Sequence, residues 1–317
     1  MQMVQGRYPA AEEKMKQIFY CLIFPGFLFS AVIGLLAGWV DRKLTARLQW
    51  RIGPPWHQNF TDIIKLLGKE TIVPEGAKYT FLFSPYIGLI SAVLAATYLG
   101  RGIIAPLESF SGDLIVLFYL LAIPALALMI GASASRNPLA SLGASREMKL
   151  VLAYELPFIL AIITVIIRSN GAIQLGQIIR QQLFFGSNIF SLSGFLSFLV
   201  ALFCVQAKLG IGLFDIAEAD QEIMSGTLIE YSGLPLAVFK LTKAVMFYAL
   251  PLLIIVLFLG CSLSPLFLIA KYLMLLAIIV LIKNTNPRLR IDQALKFFWR
   301  IPTLLGVIAV ILALFGL

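Results

Sequence analysis

Hydrophobic residues are concentrated in eight long runs that are separated by shorter polar connections. A helix needs about 20 mostly apolar residues to cross a bilayer, and the runs lie near 18–40, 80–99, 112–134, 147–168, 191–213, 234–258, 262–283 and 299–316. Because polar and apolar residues do not alternate within the runs, they predict helices and not the strands of a membrane barrel. The chain is therefore predicted to be an all-α integral membrane protein with about eight transmembrane helices, folded as a single membrane domain over residues 1–317.

The connection between the first two runs has a pattern of its own. In residues 54–70, apolar positions recur on one side of a helix, which predicts a short amphipathic helix with Asn59 or Thr61 as its N-cap. Pro54 and Pro55 come just before it. Because proline cannot continue a helix, these two residues are predicted to end the first transmembrane helix and turn the chain.

The connection between the fifth and sixth runs is acidic and contains no Lys or Arg. Its carboxylates are Asp215, Glu218, Asp220, Glu222 and Glu230. A solvated acidic loop is one interpretation. However, about half of residues 214–232 are apolar, which favours a second amphipathic cytoplasmic element that packs against the protein. Carboxylates in such a place can have raised pKa values and exchange protons near neutral pH.

Composition and charge support a membrane protein and set its orientation. Mean hydropathy is +0.93 and 13% of residues are charged, against roughly 25% in soluble proteins. Most Lys and Arg residues lie in the odd-numbered connections, so the positive-inside rule places these in the cytoplasm and both termini outside. The formal net charge of +9 is therefore a topology signal for a multi-pass protein of the cell (cytoplasmic) membrane, and no nucleic-acid partner is expected.

Residues that hold redox cofactors are scarce. Cys21, Cys204 and Cys261 occur singly in apolar runs, and His57 is the only histidine, which excludes iron–sulfur ligation and bis-histidine haem in this chain. No Walker-type loop is present. We therefore expect no catalytic residue, metal site or cofactor in this chain, and electrons would travel in partner subunits.

Ionisable residues inside the runs are the strongest candidates for function, since each costs about 2.5–3.5 kcal/mol at a helix centre. Glu155 lies at a depth similar to that of Lys240 and Lys243, and Lys208 and Lys271 add two more charges. Such groups are expected to face the bundle interior or a hydrated cavity, as a proton or ion path requires. The alternatives are a structural ion pair between Glu155 and Lys243, and snorkelling of Lys208 to the interface.

A cluster of charges follows the first run directly. It consists of Asp41, Arg42, Lys43, Arg47 and Arg51. The neighbouring amphipathic helix could simply lie in the lipid interface. The cluster contains more cations than topology needs, however, and this favours docking of a protein partner on the cytoplasmic surface.

Three segments resemble one known family. "WVDRKLTARLQWRIGP" resembles the E-R-K…Q-x-R-x-G-P segment of NADH dehydrogenase subunit 1, the membrane subunit of respiratory complex I at its junction with the peripheral arm. "LGASREMKLVLAYELP" is similar to the family's G-A-x-R…Y-E-V-P segment, and "FDIAEADQEIMSGTLIEYSG" to its F-D-x-x-E-x-E-x-E-L-x-x-G-x-x-x-E-Y-S-G. The three segments occur in the family's order.

The resemblance implies a scaffold that holds a hydrophilic electron-transfer module and passes redox energy to ion-translocating subunits. By that resemblance, the residues at the junction with the peripheral arm would be Arg42, Arg51, Asp62 and Arg146. The candidates for the proton path would be Glu155, Asp215, Glu218, Asp220, Glu222 and Glu230.

Departures from the family pattern narrow the prediction of which kind of respiratory complex contains this chain. The loop Pro55-Trp56-His57-Gln58 is shorter than in quinone reductases, and Lys208 and Lys243 stand where that family has glutamates. The short loop resembles the membrane anchor of energy-converting nickel–iron (NiFe) hydrogenases and of ferredoxin-dependent sulfur-reducing complexes. A membrane-bound hydrogenase is the first choice. The alternatives are a sulfur (polysulfide)-reducing complex, a quinone-reducing complex I and a stand-alone secondary transporter, although no internal repeat of the transporter kind is visible.

The resemblance also implies the partners. These would be hydrophilic hydrogenase-like large and small subunits, an iron–sulfur ferredoxin-like subunit and antiporter-like membrane subunits. The NiFe centre and the iron–sulfur clusters would lie in those partner subunits, and the pumped ion would be H+ or Na+.

Overall fold

The computed structural model describes residues 8–74, 78–109, 112–260 and 264–316, and the regular structure within these ranges is helical. Cys261 lies outside them, as do the side chains of residues 8–14, Glu108, Asp220 and Gln221. Eight helical segments of the described ranges are long and apolar enough to cross a membrane. The predicted all-α membrane fold with about eight spans is confirmed.

Twelve α-helices make up the described chain. They are α1 (Tyr8–Leu22), α2 (Phe27–Leu48), α3 (Gln58–Leu67), α4 (Lys78–Ile104), α5 (Asp113–Ala134), α6 (Pro138–Arg168), α7 (Leu175–Phe185), α8 (Leu192–Leu209), α9 (Asp220–Ile223), α10 (Gly233–Ile254), α11 (Pro265–Thr285) and α12 (Ile291–Leu314). Helix α10 continues as a π-helical turn, Ile255–Leu259. The spans are formed by α1 with α2, and by α4, α5, α6, α8, α10, α11 and α12.

The first connection differs from the sequence prediction in detail. Helix α2 ends at Leu48, well before Pro54, because Trp50 takes a left-handed conformation with φ 58°. The amphipathic helix α3 is present, but Asn59 and Thr61 lie inside it and do not cap it. Asn59 is buried and donates a hydrogen bond from Nδ2 to the carbonyl oxygen of Leu35 at 2.8 Å. It therefore attaches α3 to α2.

Three other elements were not anticipated correctly. Helix α6 begins at Pro138, nine residues before the predicted start, and the side chain of Asn137 caps it by accepting from the Leu139 amide at 2.9 Å. Helix α7 was not predicted. The connection 214–232 is helical only in short turns, namely α9, Gly212–Phe214 and Gly226–Leu228. Asp215, Glu218 and Glu222 therefore do not lie on one continuous helix.

Helix α10 lies at the centre of the bundle and packs against α2, α4 and α8. Every residue from Val245 to Phe258 is buried, as expected for a helix that is apolar on all sides. The outer faces of the other spans expose large apolar side chains such as Ile87 and Ile90 on α4. These faces are suited to lipid contact.

The two ends of the bundle differ in chemistry. One end carries residues 41–70, 210–232 and 284–290 and is called the charged end. The other carries residues 105–109, 112–113, 169–192, 259–260 and 264–265 and is called the opposite end. Contacts such as Gln49 with Asn284, at 3.5 Å, join segments of the charged end.

Helices α2 and α10 approach closely at Gly34. A Cβ atom built there would overlap the carbonyl oxygen of Ala244, so only a glycine allows this backbone contact. We expect Gly34→Ala to push the helices apart and to lower stability by about 1–3 kcal/mol.

The measurement is the melting temperature of the detergent-purified protein. Gly68→Ala is the matched control, because its Cβ would meet only ordinary contacts of 3.8 Å or more. Equal melting temperatures for the two variants would contradict the close packing.

Candidate functional site: a charged cavity and an acidic loop

A cavity of about 560 Å³ lies at the charged end between α2, α3, α5, α6 and α10. One part of its wall is apolar and includes Leu121, Pro124 and Phe247. The other part is charged and includes Asp41, Arg42, Asp62, Glu147, Lys208, Asp215, Glu218, Lys240 and Lys243. The fold therefore gathers residues from both predicted groups, the ion path and the junction, around one cavity.

Lys243 of α10 forms the central ion pair of the cavity. Its Nζ donates to the Glu218 carboxylate at 2.7 Å. The lysine side chain is 43% exposed, and because it lines the cavity, this exposure is to the cavity interior. The alternative pairing with Glu155 is not found. Lys240, one turn earlier, also lines the cavity, but none of the described carboxylates pairs with it.

Residues 214–232, here called the acidic loop, are tied to three parts of the bundle. Besides Glu218, the tied carboxylates are Asp215 with Arg288 at 2.9 Å, Glu222 with Arg146 at 2.6 Å, and Glu230 with the amide of Asn137 at 2.6 Å. The loop is therefore packed and not a free solvated segment. Because the paired side chains are partly exposed, each ion pair contributes only about 0.2–1 kcal/mol, which leaves them able to rearrange.

An aromatic contact holds the end of the acidic loop. The ring of Tyr231 stacks on Phe81 of α4 with centroids 4.1 Å apart, and its hydroxyl donates to the Phe81 carbonyl oxygen at 3.2 Å. Burial raises the pKa of the Tyr231 hydroxyl above its ordinary value, so this group stays neutral. The acidic loop is thus anchored by the packing of Tyr231 at its end and by the ion pairs of residues that precede Tyr231 in the sequence.

Glu147 is a cavity residue that the sequence prediction missed. It is 8% exposed, lines the cavity from α6 and interacts electrostatically with Glu218, Lys243 and Asp215. In the sequence prediction, residue 147 was the first residue of the fourth span and was not a candidate site residue. The signal that would have corrected this is the Asn-Pro pair at 137–138, an N-cap followed by proline at the first helical position.

Lys208 does not snorkel to the interface. Its Nζ lies 5.3 Å from the ring centroid of Phe118, 5.7 Å from that of Tyr154 and 5.2 Å from that of Phe158. These distances fit cation–π contacts. Lys208 also lines the cavity, so it sits between the cavity and the three rings.

Glu155 lies outside the cavity wall and is half-buried. It interacts electrostatically with Lys208. Lys208 is therefore a cavity residue that interacts with Glu155.

Lys271 lies far from these groups, at the opposite end. Its Nζ donates to the carbonyl oxygens of Leu259 and Gly260 at 2.8 and 2.7 Å. A cation at the C-terminus of a helix satisfies free carbonyls and the helix dipole. The geometry gives Lys271 a helix-capping position, and its assignment to the ion path stays a prediction.

Three of the predicted junction residues, Asp41, Arg42 and Asp62, line the cavity. Asp41 pairs with Lys283 of α11 at 2.8 Å, and Arg42 approaches Asp62 of α3 at 3.5 Å. Lys43 packs its aliphatic stem against Gly53. The side chains of Arg47 and Arg51 are exposed, and so are the large apolar side chains of Trp50, Ile52 and Trp56 beside them.

The described wall of the cavity places acids next to bases. No group of three or more His, Cys, Asp or Glu residues suited to a metal is found in the ranges that the structure describes. Neighbouring carboxylates and amines in a partly hydrated cavity can transfer protons and respond to nearby charge. The residues of the cavity are therefore of the types that ion handling requires.

Known proteins are similar to this chain in sequence. Residues 21–314 match the family model described as NADH dehydrogenase. One subunit of the NADH-quinone oxidoreductase of Syntrophotalea carbinolica is 32% identical over 311 residues, which cover 90% of this chain and 92% of that protein. The corresponding subunit of the NADH-quinone oxidoreductase of Dehalococcoides mccartyi is 30% identical over 295 residues, which cover 89% of this chain and 81% of that protein.

A solved structure shows the same likeness. The chain is similar to one in the structure of the membrane-bound sulfane sulfur reductase, described as an archaeal respiratory membrane complex. The TM-score is 0.86 at 31% identity, with 93% of this chain and 99% of that chain covered.

Proposed function

This chain belongs to the NADH dehydrogenase subunit 1 family, and on that premise we propose that it is the scaffold and coupling subunit of a complex-I-like, ferredoxin-dependent respiratory complex. It would anchor a peripheral electron-transfer module and relay redox energy to H+ or Na+ translocation in antiporter-like neighbours. Its relatives are subunits of oxidoreductase complexes, and we infer that this multi-pass membrane subunit carries out no redox chemistry of its own.

One observation carries the proposal: the acidic loop connects the surface of the charged end to the cavity. Glu222 pairs with Arg146 near the surface, whereas Glu218 pairs with Lys243 inside the cavity. A partner that shifts the loop would therefore change the charge environment of Lys243. Two sites can be coupled only if a partner makes different contacts with the two states of the protein. A partner that binds one position of the acidic loop better than another meets this requirement.

The docking surface is proposed to be the segment from Arg47 to Trp56. Trp50 is 98% exposed, and Ile52 and Trp56 are exposed beside the cations Arg47 and Arg51. Exposed aromatic and apolar residues next to arginines are typical of interaction sites. A hydrophilic subunit with an acidic rim would fit this surface.

We expect Trp50→Ser to weaken this docking, since exposed tryptophans at interfaces often contribute about 2 kcal/mol or more to binding. Copurification of the hydrophilic subunits with the tagged chain measures the effect. Trp299→Ser is the matched control, because Trp299 on α12 is 69% exposed but lies within a membrane span. Undiminished copurification with Trp50→Ser would contradict the docking surface.

Two candidate functions, hydrogenase and sulfur reduction, differ in the terminal electron acceptor of the complex. Hydrogenase is the choice that the short Pro55–Gln58 loop supports, and the similarity to the sulfane sulfur reductase structure favours sulfur reduction. Metal analysis of the purified complex decides between them. Nickel with a hydrogenase-like large subunit would support the first, iron–sulfur subunits without nickel the second, and a bound quinone would point to complex I.

A stand-alone ion-coupled transporter is the rival from another class. It predicts transport by the chain without partners, whereas the proposed function predicts none. Ion flux into vesicles that contain only this chain therefore tests the proposal directly, and flux there would refute it.

A further inference from the structure

A second cavity, of about 440 Å³, lies at the opposite end of the bundle and plays no part in the proposed function. It lies between the C-terminal ends of α6 and α7 and the start of α8. The residues that line it are Arg168, Ser169, Asn170, Gln181, Phe185, Gly186, Ser187, Asn188, Phe190 and Ser191.

The cavity lies at the level of lipid headgroups. Helix α8 has 18 residues, or about 27 Å at 1.5 Å per residue, close to the roughly 30 Å of a hydrocarbon core. Both of its ends must therefore lie at membrane boundaries. Ser191, which caps α8 by accepting from the Gly194 amide at 3.0 Å, lines the cavity.

The lining favours an anion that also carries a hydrogen-bond donor. Arg168 is its cation, held in place by a bond from Nη1 to the Ser193 hydroxyl at 3.2 Å. No carboxylate is among the lining residues of the described chain. The buried Oε1 of Gln181 has no hydrogen-bond partner among the described residues, so an occupant with a hydroxyl or ammonium group would satisfy it.

The rim of the cavity is apolar. Phe185 and Phe190 line it and are almost fully exposed, and Phe184 and Leu192 are exposed next to them. Apolar side chains at this depth contact acyl chains, while an arginine beside them reaches the phosphates. A headgroup in the cavity would therefore leave its chains against these phenylalanines.

We propose that this cavity binds the phosphodiester headgroup of a glycerophospholipid. The Arg168 guanidinium pairs with the phosphate, and the Gln181 amide oxygen accepts a hydrogen bond from the polar group beyond it. The lipid would thus tie together the ends of α6, α7 and α8.

The test uses the purified complex, delipidated in detergent and titrated with dioleoylphosphatidylglycerol, with bound lipid counted by native mass spectrometry. We expect Arg168→Gln to weaken the tightest lipid site about tenfold or more, the size of one lost charge-assisted hydrogen bond. Arg180→Gln is the matched control, since Arg180 lies on α7 outside the cavity lining.

A second variant distinguishes a loss of lipid binding from a loss of folding. Asn170 is exposed and has φ 48°, a conformation that aspartate also tolerates. Asn170→Asp should therefore preserve the fold and repel the phosphate.

In a second titration, inorganic phosphate is added to the complex with its lipid bound. Displacement of the lipid by inorganic phosphate would show a free-anion site and overturn the proposal. Equal lipid binding by wild type, Arg168→Gln and Asn170→Asp would overturn it too, as would an equal loss with Arg180→Gln.

Discussion

Exchanging Lys243 for methionine is expected to uncouple ion translocation from electron transfer in the assembled complex. The substitution removes the cation that pairs with Glu218 at 2.7 Å inside the cavity. Glu218 then faces the cavity without its partner. A relay that depends on the charge state of this pair loses its response to movement of the acidic loop. We expect about a tenfold fall in ions moved per electron pair, within the range of coupling energies of about 1–3 kcal/mol.

The measurement is ion uptake by vesicles that contain the complex, with reduced ferredoxin as the proposed donor and with electron transfer recorded in parallel. Electron transfer should change little, because this chain is expected to hold no redox cofactor. Lys240→Met is the control. Lys240 lies one turn away on the same helix and lines the same cavity, but pairs with none of the described carboxylates. If Lys240→Met uncouples as strongly as Lys243→Met, the ion pair is not the coupling element.

The bundle could be predicted from the sequence because hydrophobic length alone specifies a membrane helix. Eight runs gave eight spans, and the amphipathic pattern of residues 58–67 gave α3. The boundaries were less predictable. The end of α2 depends on the left-handed conformation of Trp50, which nothing local requires.

The pairing of charges could not be predicted from the sequence. Depth along each helix placed Glu155 and Lys243 at the same level, but depth carries no information on which helices touch. In the fold, the acidic loop turns back into the bundle and brings Glu218 to Lys243. The aromatic rings around Lys208 come from α5 and α6, and this environment likewise arises only from tertiary packing.

Lys271 is another residue whose surroundings could not be predicted from its position in the sequence. Its position within an apolar run predicted a buried functional charge. Its actual neighbours are the terminal carbonyls of the π-helical turn that follows α10, and these supply a structural reason for a cation there. An intramembrane charge therefore indicates a polar partner, and the identity of that partner decides the role.

Replacing Glu147 with glutamine is the second large effect that we expect. The substitution keeps the shape of a buried side chain and removes its ability to ionise. Glu147 faces the cavity and interacts with Glu218, Lys243 and Asp215, so its charge state should follow any rearrangement of the acidic loop. Ion translocation should fall about tenfold with electron transfer retained, and Glu147→Asp should restore part of it because a carboxylate is again present.

Glu222→Gln is the matched control for this experiment. Glu222 is half-exposed, pairs with Arg146 and does not line the cavity, and an exposed pair of this kind contributes about 0.2–1 kcal/mol. We therefore expect its loss to leave the ratio of ions to electrons nearly unchanged. A normal ratio with Glu147→Gln, or an equal fall with both variants, would mean that position within the cavity does not decide which carboxylates take part in coupling. A fall confined to Glu147→Gln would identify the cavity as the site at which redox energy is coupled to ion translocation.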